Sequence, residues 1–257
     1  LRILKDGIVQ AAEVVGPWVG GDAPLLDGTT LPFLLQTTED SKKAAAATRP
    51  AIDKDLAARF KSKVLVANGP GAIHIYSKKP IAKVEDFKGV KVRTYGAVGS
   101  LGLQALGAAP LTIIAGEVYP SLQRGVADAA AASHSATFGW KLQEVLKYID
   151  LWYIANTFAS PMLVVNIDAW NALPADLQKL ITDASAKAEE KAWANAIDSD
   201  DKALAGLKAG GMEIVQVSEA ERNRAAQLSL PVWQDWAKSQ GPAAEEFLAA
   251  VRKAVGR

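Results

Sequence analysis

The chain has 257 residues, 49% of them hydrophobic and 22% charged, and its 29 Lys and Arg against 28 Asp and Glu leave a formal net charge of +1. This length supports a sizeable core in one large domain or two lobes, and the balanced charge without a basic block makes nucleic acid and an anionic membrane poor candidates as partners. The absence of cysteine removes disulfides, thiolate zinc sites and cysteine nucleophiles together, and no apolar run is long enough to span a bilayer.

The chain opens on the amphipathic "LRILKDGIVQAAEVV", which contains no secretory leader, so a removed leader is kept in mind. Strand-like and helical runs then alternate, the pattern of an α/β protein. "KVLVAN" (63–68) and "AIHIYS" (72–77) are short, β-branched runs parted by glycine and proline. "KVRTY" (91–95) predicts the next strand, with a helix over 98–106 closed by Gly107, then a strand over 109–114 and a short helix broken by Pro120. "VADAAAAS" (126–133) has helical composition, but its length and its place between helices predict a buried strand. A helix over 137–148, an aromatic run "LWYIANTF" and a strand over 160–166 follow, with Pro161 at a strand start where a missing N–H is tolerable.

Residues 174–210 predict one uninterrupted helix, with Pro174 in the first turn and Gly210 and Gly211 as the stop. At ~1.5 Å per residue it is a rod of roughly 50 Å, longer than a small lobe is wide, so it has to bridge or brace two bodies. "MEIVQVS" leads into Ser218-x-x-Glu221, a capping box opening another helix, and two final helical segments are parted by Gly241 and Pro242.

Four constellations bear on function. Gly96, Gly99 and Gly102 follow a strand, but at spacings that miss the dinucleotide fingerprint, so helix-on-sheet packing explains them better. Ser133 and His134 with nearby Asp128 suggest a hydrolase, yet neighbours on a strand face opposite ways and no G-x-S-x-G elbow is present. His74 is the only other histidine, so no multi-histidine metal site is available and no cofactor is expected. Of seven tryptophans, Trp170, Trp193, Trp233 and Trp236 fall on helical stripes and read as core. Trp18, Trp140 and Trp152 fit pocket lining and plain packing equally. Arg93 stands where a strand ends and a glycine-rich helix begins: either a surface ion pair or a fork of donors aimed at an anion.

"EDFKGVKVRTYG", "LGLQALGAAPLTII" and "GEVYPSLQRGVADAAAAS" together resemble the DctP-type substrate-binding proteins of tripartite ATP-independent periplasmic (TRAP) transporters. "GTTLPFLL" and "AWNALPADLQKLI" extend the likeness over nearly the whole chain. The resemblance implies an α/β, two-lobed periplasmic binding protein fold with hinge-crossing strands and a long bracing helix. It divides the chain into lobe I, 1–70 plus 160–198, and lobe II, 71–159 plus 199–257, with the family's first strand and helix expected to be missing ahead of Leu1.

The resemblance also implies an extracytoplasmic solute receptor, located in the periplasm, that delivers a small organic acid to TRAP membrane permease subunits and is not an enzyme. The rival readings are a hydrolase-like enzyme, or a binding protein feeding a sensor or another importer. The family's carboxylate-pairing arginine matches Arg93. Where many members carry a second arginine this chain has Ala72, Ile73 and His74, and where many have an assisting asparagine it has Ala131, Ala132 and Ser133. Polar help is therefore expected from Ser133 or His134 alone. Tyr95, Phe138, Trp140, Trp152, Asn156 and Phe158 lie on segments that flank the family's cleft, and Trp18 on a loop facing it. These residues favour an apolar or aromatic monocarboxylate as ligand.

Overall fold

The computed structural model describes every residue except Pro70, Tyr95, Thr157 and Ala159, and describes Asn156 by its backbone only. In chain order the elements are α1 (Arg2–Lys5), β1 (Ala11–Val14), α2 (Pro24–Asp27), α3 (Thr38–Phe60), β2 (Ser62–Ala67) and β3 (Ala72–Ser77). Next come β4 (Lys91–Thr94), α4 (Ala97–Ala105), β5 (Ala109–Thr112), α5 (Ala115–Gln123), β6 (Ala129–Ala132), α6 (His134–Gly139) and β7 (Tyr148–Asn156). The chain finishes with β8 (Met162–Asn166), α7 (Ile167–Asn171), α8 (Ala175–Ala209), β9 (Glu213–Val215), α9 (Glu219–Gln240) and α10 (Pro242–Val255).

The strands form two sheets. The first has the order β1-β8-β2 and is antiparallel; the second has the order β5-β4-β6-β3-β7-β9 and is mixed. Within the second, β4 runs parallel to β5 and β6, while β3 runs antiparallel to β6 and β7. The chain passes from one sheet to the other between β2 and β3 and returns between β7 and β8, so two neighbouring crossings join the bodies.

Each body has its own core. Around the first sheet, Ile52 and Leu56 of α3 pack with Val64, Val164, Trp233, Trp236 and Phe247. The second sheet is covered on both faces: Phe33, Phe87, Val92 and Trp152 lie on one side, and Tyr76, Leu122, Ile149 and Leu207 on the other. Sandwiching a sheet on both faces explains "AAAA" in β6, where all four residues are buried between β3 and β4.

The long helix runs unbroken for 35 residues and touches β2 of the first sheet and α6 beside the second. Helix α9 also bridges, with Ala225 in the core of the second sheet and Trp233 in that of the first. The sequence placed residues 199–257 with the second lobe, but α10 packs against α3, beside the first sheet.

Three local expectations need correction. The helix expected over 137–148 stops at Gly139, because Lys141 takes a left-handed backbone (φ 56) and the β-rich "LWYIAN" is already strand from Tyr148. Pro120 sits inside α5 without breaking it. Ser218 caps α9 by accepting from Glu221 N at 3.2 Å, but the Glu221 carboxylate accepts instead from Val84 N at 2.8 Å, so only half of the capping box forms.

Asp150 on β7 is fully buried. Its carboxyl meets Ser77 Oγ at 2.5 Å and accepts from Ile81 N at 2.9 Å, while the same Ser77 hydroxyl lies 2.6 Å from the Lys79 carbonyl. One hydroxyl proton cannot serve two acceptors, and the conflict disappears if Asp150 is protonated and donates to Ser77. Burial pushes its pKa up to about 6, against the lowering effect of the Ile81 and Ser77 hydrogen bonds. A carboxyl whose folded pKa lies above its unfolded value favours the fold at low pH, and that contribution is lost as pH rises from about 4 through about 6. Asp150→Asn does not titrate, so its stability relative to the native protein should improve by roughly 1–3 kcal/mol between pH 4 and pH 8. Urea denaturation at the two pH values checks this, and an unchanged difference between the proteins would refute a buried neutral carboxyl.

Candidate functional site

Parallel strands β4, β5 and β6 end together, and open α/β sheets leave a crevice at such carboxyl edges. Arg93 is the third residue of β4, paired with Leu111 on one side and Ala130 on the other. It is only 4% exposed. Its Nε donates to the Ile113 carbonyl at 2.9 Å and its Nη1 to the Ala131 carbonyl at 3.2 Å. The Trp140 ring lies 5.0 Å from its Cζ, in cation–π range. Two flanking strands and one aromatic face therefore fix the plane of the guanidinium.

That guanidinium borders a cleft of about 630 Å3. From the side of the first sheet come Val15, Pro17 and Trp18, just past β1; from the crossing into β8 come Ser160 and Pro161; from the second sheet come Ile73, Arg93, Ile113, Ile114, Ser133 and Trp140, among others. The Gly16–Trp18 turn is fastened to the crossing, since Gly16 N donates to Ser160 Oγ at 3.0 Å. Trp18 is 74% exposed and Ile114 equally so, unusual for side chains of their size. Sequence reasoning missed Ile73 and Ile114; their positions next to the crossing and at the end of a strand beside Arg93 were the available signal.

The structure brings Arg93, Trp18, Ser133 and Trp140 to this one cleft and places Trp152, Phe158, Phe138 and His134 elsewhere. Ser133 borders it but spends its hydroxyl as the N-cap of α6, accepting from Ala136 N at 3.2 Å. Trp152 is in the core, its Nε1 donating to the Ile81 carbonyl at 2.8 Å and its ring packed on Phe87 and Phe33. Phe158 is also a core residue, stacked on Phe247. Phe138 is turned toward α8, where a Cβ on Gly206 would come within 2.6 Å of its ring. Trp152 and Phe158 find packed partners away from the cleft while Phe138 stays 44% exposed beside α8, and the spacing of a sequence does not distinguish these environments. Tyr95 lies outside the described residues, as does the side chain of Asn156, whose backbone pairs with Ala72 in the sheet.

His134 is buried behind the cleft. Its Nδ1 meets Tyr76 Oη at 2.5 Å, and its ring stacks on His74 at 4.9 Å. His74 Nδ1 accepts from Tyr153 N at 3.3 Å, filling the irregularity where the β3–β7 register shifts and Tyr153 takes a positive φ of 51. Burial holds both imidazoles below their ordinary pKa; His134 and Arg222 lower His74 further, while Asp200 and Asp201 oppose the effect at His134. Ser133 and His134 thus have separate partners and form no nucleophile–base pair, and Asp128 is engaged with Lys91. No group of three or more metal-binding side chains occurs among the described residues, and no helix there is long and apolar enough to cross a membrane.

Comparison with known proteins points one way. The C4-dicarboxylate-binding periplasmic protein DctP of Rhodobacter capsulatus is 31% identical over 178 residues, covering 68% of this chain and 52% of that protein, so the match spans about half the relative's length. The monocarboxylate 2-oxoacid-binding periplasmic protein of Nostoc sp. is 26% identical over 241 residues, covering 91% of this chain and 65% of that protein. The crystal structure of DctP7, a Bordetella pertussis extracytoplasmic solute receptor binding pyroglutamic acid, superposes with a TM-score of 0.86 at 27% identity, covering 98% of this chain and 82% of that one. These relatives are solute-binding proteins, not enzymes. Residues 1–240 match the model of bacterial extracellular solute-binding protein family 7, the DctP type, and the chain belongs to that family.

Proposed function

We propose that this chain is the periplasmic receptor of a TRAP-type transporter, binding a small organic carboxylate between its two lobes and presenting it to the membrane permease. The observation that carries the reading is Arg93, a cation held nearly out of water at the ends of three strands and bordering a cleft between two bodies. A guanidinium recognises a carboxylate through paired N–H donors, which fixes orientation as well as affinity.

The lining favours a monocarboxylate with an apolar or aromatic body. Around Arg93 the second sheet contributes Ile73, Ile113, Ile114, Ala132 and Trp140. Burying apolar ligand surface against them contributes about 25 cal/mol per Å2. A second carboxylate would lose its hydration among these side chains with little to offset the cost. The relatives' names include a C4-dicarboxylate and a monocarboxylate 2-oxoacid, and the lining supports the monocarboxylate reading.

Arg93→Lys keeps the charge but loses the planar fork, so calorimetry should show roughly a ten- to hundredfold weaker affinity for the best ligand of an organic-acid library. An unchanged affinity would refute the anchor.

A ligand held between two hinged bodies favours a shut form. Small-angle scattering on saturation should therefore record a smaller radius of gyration, and a radius that does not move would argue against a hinged receptor.

A further inference from the structure

A ligand shifts the lobes toward closure only through contacts that differ between the open and shut forms. The polar contact assigned above, Arg93, belongs to the second body, as does the Trp140 ring packed on it. From the first body and the crossing fastened to it, the described residues that border the cleft are Val15, Pro17, Trp18, Ser160 and Pro161. None of these carries a charge. Proline has no N–H, and the N–H of Trp18 donates to the Val15 carbonyl at 3.0 Å. Two of these side chains can donate: the Ser160 hydroxyl, which is buried and accepts from Gly16 N at 3.0 Å, and the indole N–H of the exposed Trp18. What the first body offers a solute is therefore chiefly an exposed aromatic face, and across the cleft Ile114 offers an equally exposed aliphatic one.

We propose that Trp18 reads the apolar tail of the ligand, with Ile114 as its opposite wall, and that this tail, rather than the carboxylate, couples binding to lobe closure. The inference rests on the carboxylate-receptor reading and deepens it. The head group docks on the second body through Arg93; the tail supplies the contact with the first. A cleft of about 630 Å3 has room for both, lying well inside the size range of sites that enclose ring-bearing ligands. A short acid would satisfy Arg93 and leave the first body without a partner, so it should bind weakly and fail to shut the receptor.

The test uses a matched pair, propionate and 3-phenylpropionate, on the purified protein by calorimetry and small-angle scattering. The phenyl acid is expected to bind the native protein about ten- to a hundredfold more tightly and to be the one that contracts it. Trp18→Ala should collapse that ratio to within about threefold and abolish the contraction; Trp18 is exposed, so its removal leaves the core packing intact. Trp18→Phe keeps a ring while removing the N–H and should retain most of the ratio. Arg93→Lys should weaken both acids together and preserve the ratio, which separates the head group from the tail. Equal affinity for the two acids in the native protein, an unaltered ratio in Trp18→Ala, or an equal loss in Trp18→Phe and Trp18→Ala would overturn the proposal while leaving the carboxylate reading in place. Failure of every carboxylate to bind would overturn both.

Discussion

A guanidinium taken almost wholly out of water must be solvated by the protein around it, and this requirement at Arg93 organises the site. Leaving such a charge without polar partners would cost many kcal/mol. The chain provides carbonyls from the two neighbouring strands, Ile113 and Ala131, and the face of Trp140. These three partners are themselves neutral groups that solvate the cation. The strand order follows from the same need: β4 lies between β5 and β6, and only a central strand has a carbonyl-bearing neighbour on each side.

The alanines of β6 belong to that arrangement. Its small side chains face the cores on the two sides of the sheet, and the helix that follows directly, α6, ends next to Trp140, whose ring lies over the guanidinium. A larger residue at Ala132, which borders the cleft, would take up part of its volume. The buried Tyr76–His134–His74 cluster behind the cleft has the opposite character, since each polar atom with an assigned partner faces inward and burial keeps the imidazoles neutral. One side of β3 and β6 thus holds a cationic, partly open site, and beyond it lies a closed neutral one.

Much of this was legible in the sequence, for identifiable reasons. The apolar stripe over 174–210 has no proline within the helix and only Gly206 as a weak point near its end, and the helix runs from Ala175 to Ala209. The position of Arg93 at a strand end before a glycine-opened helix likewise translates into β4 followed by α4. What the sequence could not resolve is which large aromatic meets a cleft and which meets a core, because Trp152, Phe158 and Trp18 all lie on apolar-rich stretches near crossings. Only the fold separates them, giving Trp152 a backbone acceptor, Phe158 a stacking partner and Trp18 open space. The helix expected over 137–148 failed for a related reason: one left-handed residue, Lys141, ends it, and local propensity at a lysine carries no warning of that.

The bracing helix sets the terms on which the two bodies can move. Glu189 accepts from Ala67 N at 2.7 Å, fastening α8 to the last residue of β2 just before the chain crosses. Asp200 accepts from Ser135 N and Ser135 Oγ, both at 3.1 Å, fastening the same helix to the first turn of α6 in the second body. The two pins are 11 residues apart, about 16 Å along the helix axis. Between them passes the crossing itself, where Gly71 at φ +97 brings its backbone so near that a Cβ there would lie 3.3 Å from Asp200 Oδ2. Rotation of one body against the other must therefore bend α8 between Glu189 and Asp200 or release one of the pins. At the Asp200 pin, burial raises the carboxyl's pKa against the lowering effect of His134 and the Ser135 hydrogen bonds, and both its bonds go to one residue at a helix start. Glu189 is held more widely, through Ala67 N and through Arg49, which reaches in turn to Asp53 and the Val64 carbonyl.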